Sequence, residues 1–281
     1  MNLNIRPGDL CDQTELLKFV NSPVLGYEHL DWFPSKSRLA EPSTFCLYSS
    51  EKLEAILSVS PETQDFAWLR FFFTRRDGRH TSNFNLLLEH ALTWLKSQGV
   101  PHLFSLATSG WFENLLITKG FNVQNRVISL VTSQISGSLP NTSSDLVIRP
   151  MRLSDLPQIE ELDRLCFPPP WQLNDLSLEK CYISSEYSSL VALAGKPFAF
   201  QITTRFLDNL HLARLAVDPK MRGEGIAKAL LIDLSAHFQD GNIDLISVNT
   251  QVDNHPSLGL YKSMGFKQEG TLIPVYCFDL P

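Results

Sequence analysis

Apolar residues recur along the chain with two different periods, and the switches between them mark out the elements. Residues 210–217 read as a buried strand. Residues 226–238 read as a helix in which Ile226, Ala229, Leu230, Leu234 and Phe238 share one face while Lys228, Asp233 and Gln239 fall elsewhere. Upstream, the pattern predicts a helix over 153–165, a strand hairpin over 189–194 and 197–204, and a central strand over 209–217; downstream it predicts a strand over 244–251 and a helix over 256–263. The first half repeats this order. A hairpin is predicted over 44–48 and 53–59, a strand over 67–74, a helix over 83–96 carrying Phe84, Leu87, Leu88, Ala91 and Leu95, a strand over 102–107, and a helix over 111–119 that ends in Gly120-Phe121. Strand, turn, helix, strand, helix, Gly-Phe thus occurs twice, which predicts a duplicated fold. Residues 134–145 are rich in Ser, Gly, Pro and Asn and lack apolar periodicity, so they read as a linker between domains at 1–133 and 146–281.

The junction between the strand 210–217 and its helix carries the chemistry. It reads Asp218-Pro219-Lys220-Met221-Arg222-Gly223-Glu224-Gly225-Ile226-Ala227-Lys228. A helix start leaves its first backbone N–H groups unpaired, and phosphate oxygens fit against them without help from side chains. Gly223 and Gly225 remove Cβ atoms that would hold a bulky anion off the backbone, and they permit positive φ. Arg222 adds a fixed positive charge. A turn that uses glycine for geometry alone has the same spacing, so other residues must decide. A Walker loop needs four residues between its glycines and then Gly-Lys-Ser/Thr, and a dinucleotide fingerprint needs a third glycine where this chain has Lys228. Neither fits.

What the run resembles is the acyl-CoA pyrophosphate loop of the GNAT superfamily of N-acetyltransferases: Arg or Gln, two residues, Gly, one residue, Gly or Ala. Arg222, Gly225 and Ala227 fill that pattern. Family members follow the loop helix with a strand, an Asn, a Tyr seven residues later and a Gly-Phe pair; here these are 244–251, Asn254, Tyr261 and Gly265-Phe266. Leu215-Ala216-Val217-Asp218-Pro219 matches the strand end that splays open to take the pantetheine arm. The strong match runs from Leu146 to the C-terminus. Within it, Cys166-Phe167-Pro168-Pro169-Pro170-Trp171 is similar to a loop of the ribosomal-protein N-terminal acetyltransferases, and the tandem arrangement is similar to that of mycothiol synthase.

The resemblance implies an α/β (α+β) fold of two tandem GNAT-like domains, each a mixed, largely antiparallel central sheet flanked by helices. It implies acetyl-CoA as co-substrate, held by Leu215, Ala216, Val217, Arg222, Gly223, Glu224, Gly225, Ile226, Ala227, Lys228, Asn254 and Tyr261, with a backbone N–H such as that of Val217 polarising the thioester carbonyl. Tyr261 is the implied general acid, since a phenol of pKa about 10 can protonate a thiolate of about 8.5. The base is less legible. The N-terminal-acetylating subgroup has Glu at the strand position that is Asn249 here, and an amide does not accept a proton usefully. His211, acting through water, is a candidate against ordinary packing, with Asp253 and Glu161 behind it. A dedicated base matters less for an α-amino group of pKa about 8 than for lysine at about 10.4, so the missing carboxylate favours a low-pKa amine. The expected acceptor is a primary amine, of a small metabolite or a peptide N-terminus, attacking the thioester directly. The alternative is an acyl-CoA-binding sensor or interaction protein without turnover.

Functional residues do not recur in the first half. Aligning the two predicted helices sets His80, Asn83 and Asn85 opposite Arg222, Gly225 and Ala227, and aligning the Gly-Phe pairs sets Leu116 opposite Tyr261, so this half is expected to be degenerate. A net charge of −6 and a pI near 5.6 argue against nucleic acid as partner. No stretch approaches the roughly eighteen consecutive apolar residues of a membrane span, and residues 1–12 do not resemble a secretory signal, so a cytoplasmic protein is expected, monomeric or homodimeric. The five cysteines show no Cys-x-x-Cys spacing, so neither a metal site nor a disulfide framework is indicated.

Overall fold

A computed structural model describes residues 3–30, 34–137, 147–239 and 243–280. The chain forms two compact units, one built from the residues up to Asn125 together with those from Ile273 onward, the other from Arg126–Leu272. Of the expected linker, residues 138–145 lie outside the described residues.

In chain order the elements are β1 (Leu3–Pro7), α1 (Gln13–Val20), β2 (Leu25–Glu28), β3 (Thr44–Ser49), β4 (Lys52–Pro61), β5 (Phe66–Thr74), α2 (His80–Ser97), β6 (His102–Leu106), α3 (Gly110–Thr118) and β7 (Asn122–Thr132). There follow β8 (Val147–Pro150), α4 (Leu156–Cys166), α5 (Asp175–Ile183), β9 (Ser185–Leu193), β10 (Lys196–Phe206), β11 (Asn209–Val217), α6 (Ile226–His237), β12 (Leu245–Gln251), α7 (His255–Ser263) and β13 (Lys267–Asp279). The first unit has strand order β1-β3-β4-β5-β6-β13, and the second β8-β9-β10-β11-β12-β7. In each, one pair is parallel, β5 with β6 and β11 with β12, and the others are antiparallel. The duplicated architecture expected from the sequence is present, each sheet mixed and flanked by helices.

The strands that close the two sheets are exchanged. β7 follows α3 in the chain yet pairs with β12, from Val127↔Gln251 to Thr132↔Ile246. β13 follows α7 yet pairs with β6, from Val275↔Leu106 to Asp279↔His102. Periodicity says nothing about which sheet a strand joins, because pairing partners are chosen by tertiary contact. β13 also reads poorly as a strand because Gly270 and Pro274 interrupt it. β1, β2, β8, α1 and α5 were likewise too short or too weakly periodic to stand out.

β5 is buried along its whole length. Its Leu69 and Phe72 pack with Phe84 and Leu87 of α2, while Phe71 and Phe73 pack with Leu16 and Phe19 of α1. Leu69 and Phe72 share a face although three positions separate them, because Arg70 is an extra residue: Val59 pairs with Leu69 but Ser58 with Phe71. Such a bulge inverts the side-chain alternation beyond it. α1 is started by Asp12, whose carboxylate accepts from the Thr14 and Glu15 amides. Among the described residues no helix is long and apolar enough to cross a membrane.

The exchange makes a prediction. Val275, Tyr276 and Cys277 are buried in the first unit. Deleting residues 273–281 should collapse amide hydrogen-exchange protection in β6 while α6 and β12 keep theirs; loss confined to the second unit would contradict this placement.

Candidate active site

β11 and β12 run side by side for only four rungs, Asn209↔Leu245 to Leu212↔Val248, although β11 continues to Val217 and β12 to Gln251. The cause is a bulge. Thr203 of β10 pairs with Leu212 and Ile202 with Arg214, so Ala213 is the extra residue, and β11 bends away from β12 while holding β10 as far as Val217↔Ala199. Among the described residues, no strand pairs with the β12-facing edge of β11 beyond Leu212. The Asp218 N–H donates to the Phe198 carbonyl across β10 at 2.8 Å. Strand amides alternate in direction, so those of Leu215 and Val217 face the open edge.

At the end of this edge the chain turns into α6. Pro219–Met221 form one 3₁₀ turn, with the Asp218 carboxylate accepting from the Lys220 amide at 2.9 Å. Arg222 then donates from Nε to the Val217 carbonyl at 3.2 Å, which fixes the start of its side chain against the strand end. Gly225 sits at φ 74° as the residue before α6, a left-handed conformation that a Cβ would strain, and Gly223 at φ 87° has open space where its Cβ would be. No side chain caps α6, and the first bond of its ladder runs from the Ala229 N–H to the Gly225 carbonyl. The amides of Ile226, Ala227 and Lys228 therefore have no partner within the helix. Ile226 turns its side chain into the core, whereas Gly223 and Glu224 are exposed.

Tyr261 lies on α7, one turn before Gly265-Phe266. Its ring packs on Phe266 at 5.5 Å within a cluster that includes Leu212 and Val248, the last paired residues of the two diverging strands. Burial pushes its phenol above the usual tyrosine range, which keeps the proton on oxygen. Asn254 caps α7: its Oδ1 accepts from the Ser257 amide at 3.4 Å, while its Nδ2 donates to Thr250 Oγ1 at 3.2 Å and so ties the helix to the end of β12.

His211 occupies the third of the four paired rungs, opposite Ser247. Ser247 Oγ donates to the Leu210 carbonyl at 3.1 Å, so it accepts from His211 Nδ1 at 3.0 Å. That places the imidazole proton on Nδ1 and leaves Nε2 as an acceptor. Burial pushes the imidazole down to about 4, so it is neutral at pH 7 but a weak base. Asn249 is exposed on β12, one residue past the last rung paired with β11, its Oδ1 accepting from Ser129 Oγ at 2.6 Å.

Sequence reasoning missed an ion pair beside the cleft. Arg214, the residue after the bulge, donates to Asp163 of α4 at 2.9 Å and to the Trp171 carbonyl at 2.7 Å, with its guanidinium 4.0 Å from the Phe167 ring centre. Asp163 accepts a second bond from the Leu173 amide at 3.1 Å. Both side chains are buried, and the bond set pins the proline-rich loop that follows α4 against β11; Cys166 Sγ completes it by donating to the Val217 carbonyl at 3.3 Å. The available signal was the one charged side chain in the apolar run 210–217.

The first unit has the same strand geometry with different contents. Pairing of β5 with β6 stops at Trp68↔Phe104, and the bulge at Arg70 corresponds to that at Ala213. Here, however, β2 lies along the diverging edge, pairing from Leu25↔Thr74 to Glu28↔Phe71, and the His29 amide donates to the Arg70 carbonyl at 2.7 Å. Tyr27 stacks on Phe112 at 3.7 Å and is fully buried. α2 begins at His80 rather than at 83, so Arg79, not Asn83, holds the position of Gly225; its guanidinium pairs with Asp77 at 2.6 Å and with buried Glu54 at 2.8 Å. Leu116 does stand where Tyr261 does, since the Phe121 amide donates to the Leu116 carbonyl at 3.1 Å and the Phe266 amide to the Tyr261 carbonyl at 3.0 Å.

Comparison with known proteins returns the same assignment for the second unit. The acetyltransferase (GNAT) family model matches residues 156–266. The ribosomal protein bS18-alanine N-acetyltransferase of Escherichia coli is 26% identical over 125 residues, 43% of this chain and 80% of that protein. A putative enzyme of the same name from Bacillus subtilis is 23% identical over 123 residues, 44% of this chain and 82% of that one. Over the whole chain, the fold is that of a tandem GNAT protein from the clavulanic acid biosynthesis pathway, with a TM-score of 0.68, 12% identity, and coverage of 100% of this chain and 99% of that one.

The depressed pKa of His211 has a sign that can be checked. Below the unfolded value of about 6.5 the unfolded chain binds a proton that the folded chain refuses until about 4, so this residue's contribution to stability is complete above about 6.5 and is lost as pH falls toward 4. His211→Asn retains a donor to Ser247 and should flatten the pH dependence of the unfolding midpoint across that window; an unchanged slope would contradict the buried neutral imidazole.

Proposed function

Residues 156–266 belong to the acetyltransferase (GNAT) family, and from that premise we propose that the chain transfers an acetyl group from acetyl-CoA to a primary amine by direct attack on the thioester. The observation that carries this reading is the continuity of the unpaired β11 edge with the uncapped start of α6. Pantetheine adds to the edge as a strand would, through Leu215 and Val217. The pyrophosphate then meets the amides from Gly223 to Lys228, with Arg222 supplying charge and the small Ala216 and Ala227 leaving room. The chemistry is balanced by residues around the vertex of the two strands. The uncharged amine attacks the thioester carbon, a backbone N–H of the open edge such as that of Val217 stabilises the developing oxyanion where pantetheine does not engage it, and the C–S bond breaks as sulfur takes the Tyr261 proton. The amine proton leaves through water, with His211 Nε2 as the candidate acceptor, and a proton from solvent restores the Tyr261 phenol. Asn254 supports this arrangement by holding α7 to β12.

The acceptor follows from the weak base. With an amide at position 249 and His211 near pKa 4, the site suits an amine that is already partly uncharged at pH 7, and an α-amino group meets that condition where lysine does not. The relatives named for acetylating an alanine of a ribosomal protein make a peptide N-terminus one such acceptor, and a small metabolite amine is the other. All five cysteines are free thiols, which suits a reducing compartment, and we place the reaction in the cytoplasm. The first unit is read as a degenerate copy without cofactor, because β2 takes up the edge that pantetheine would need. The missing carboxylate also supports a second reading, a CoA-binding sensor; saturable binding without turnover on any amine would select it.

Two substitution tests bear on this. Gly225→Asp puts a carboxylate against the diphosphate and should weaken CoA binding by at least about tenfold, each 1.4 kcal/mol of repulsion being one factor of ten. Gly78→Asp is a matched control, since Gly78 has a similar φ of 81°, and should leave calorimetric affinity unchanged. Equal losses would sink the assignment. Tyr261→Phe should reduce kcat on the order of 10²-fold with CoA affinity little altered, read as thiol release with a panel of amines; full activity would remove Tyr261 from the mechanism.

A further inference from the structure

In the first unit, three side chains with metal-ligand chemistry converge. His102 begins β6, and Cys277 and Asp279 lie two residues apart near the end of β13. The register places Asp279 directly opposite His102 and Cys277 opposite Phe104. Residues two apart on a strand share a face, and directly opposed residues share it as well, so all three side chains rise from one face of the pair. His102 Nδ1 lies 2.8 Å from Asp279 Oδ1, Cys277 Sγ lies 3.6 Å from the same oxygen, and the three ligand atoms are all within 4.8 Å of one another. Cys277 is buried while Asp279 is exposed and His102 half-buried, so the sulfur forms a floor and the imidazole and carboxylate form a rim open to solvent.

We propose that His102, Cys277 and Asp279 bind a divalent transition metal of the zinc class and that the bound ion clasps the C-terminal strand to β6. The donor set selects the class: thiolate and imidazole suit zinc and its neighbours, whereas magnesium and calcium require oxygen ligands throughout. The geometry fits with side-chain adjustment, the His102–Cys277 separation, within 4.8 Å, closing by up to about an ångström. Metal–ligand bonds of about 2.0–2.3 Å in tetrahedral arrangement separate the ligand atoms by roughly 3.3–3.8 Å. The His–Asp contact need open by only about half an ångström, and the Cys–Asp separation already lies in that range. Three protein ligands leave the fourth position to water on the exposed side. On binding, the Cys277 thiol forms the S–metal bond and releases its proton to solvent, as the carboxylate and neutral imidazole supply their lone pairs without proton loss. β13 returns to the first unit after the whole of the second, so a cross-link at its last rungs closes a long loop.

The test uses the full chain stripped with a chelator and titrated with zinc by calorimetry and with cobalt(II) by absorption. The expected result is one equivalent bound per chain, a near-ultraviolet sulfur-to-cobalt charge-transfer band, and a raised unfolding midpoint with zinc. Cys277→Ser and His102→Asn should each abolish the band and weaken zinc at least tenfold, while Cys11→Ser should change neither. His102→Asn keeps a donor for Asp279, so it tests the site on a folded chain should the buried cysteine variant fold poorly. Absence of zinc binding, or binding and a cobalt band that persist in His102→Asn, would overturn the proposal.

Discussion

A single extra residue in β11 organises the second unit. With Ala213 bulged, β11 keeps its hydrogen bonds to β10 but loses β12, and the parallel pair opens after four rungs. Unpaired strand edges are normally a liability, because their N–H and C=O groups seek a partner. Here the edge is short, lies inside a cleft, and leads directly into a helix start whose own amides are uncapped. Two sets of backbone donors are thereby set in line, one suited to amide groups and one to an anion. The same bulge inverts the side-chain alternation, which puts Arg214 on the α4 face and lets Leu215 and Val217 continue the apolar face begun by Leu210 and Leu212.

The first unit shows that the same strand geometry need not leave an open edge. It has its own bulge and its own short parallel pairing, yet the chain supplies β2 for the edge and Tyr27 beside it. In its turn before α2, Arg75 and Arg79 are paired with Glu54 and Asp77, so the charge of these two is spent on protein carboxylates. Duplication preserved the backbone solution, which packing of the sheet on its helices requires, while the surfaces that packing leaves free diverged.

Burial acts in opposite directions on the two titratable groups near the vertex of the cleft. It holds the Tyr261 proton on oxygen and keeps the His211 imidazole neutral. On the proposed mechanism the phenol keeps the proton that a departing thiolate takes, although the raised pKa makes it a weaker acid, and a neutral but weakly basic imidazole makes the protonation state of the acceptor itself important. The Asp163–Arg214 pair adds rigidity of another kind. A buried ion pair contributes little net stability after desolvation, but its directional bonds to the Trp171 carbonyl and the Leu173 amide define one position for the loop beside the cleft.

The linear sequence determined the element types in the most periodic segments, the duplication, the glycine-bearing helix start and the placement of Asn254 and Tyr261 around a Gly-Phe helix end. Those features are local: they depend on spacing along the chain, on caps and on glycine's tolerance of positive φ. Tertiary structure alone decided the exchange of β7 and β13, the occupation of the β5 edge by β2, the Asp163–Arg214 lock and the meeting of His102 with Cys277 and Asp279. Each of these joins residues remote in sequence. Strand pairing is degenerate at the level of single sequences, because any alternating segment can add to any open edge, and only the competition among all edges in the folded chain selects the partner.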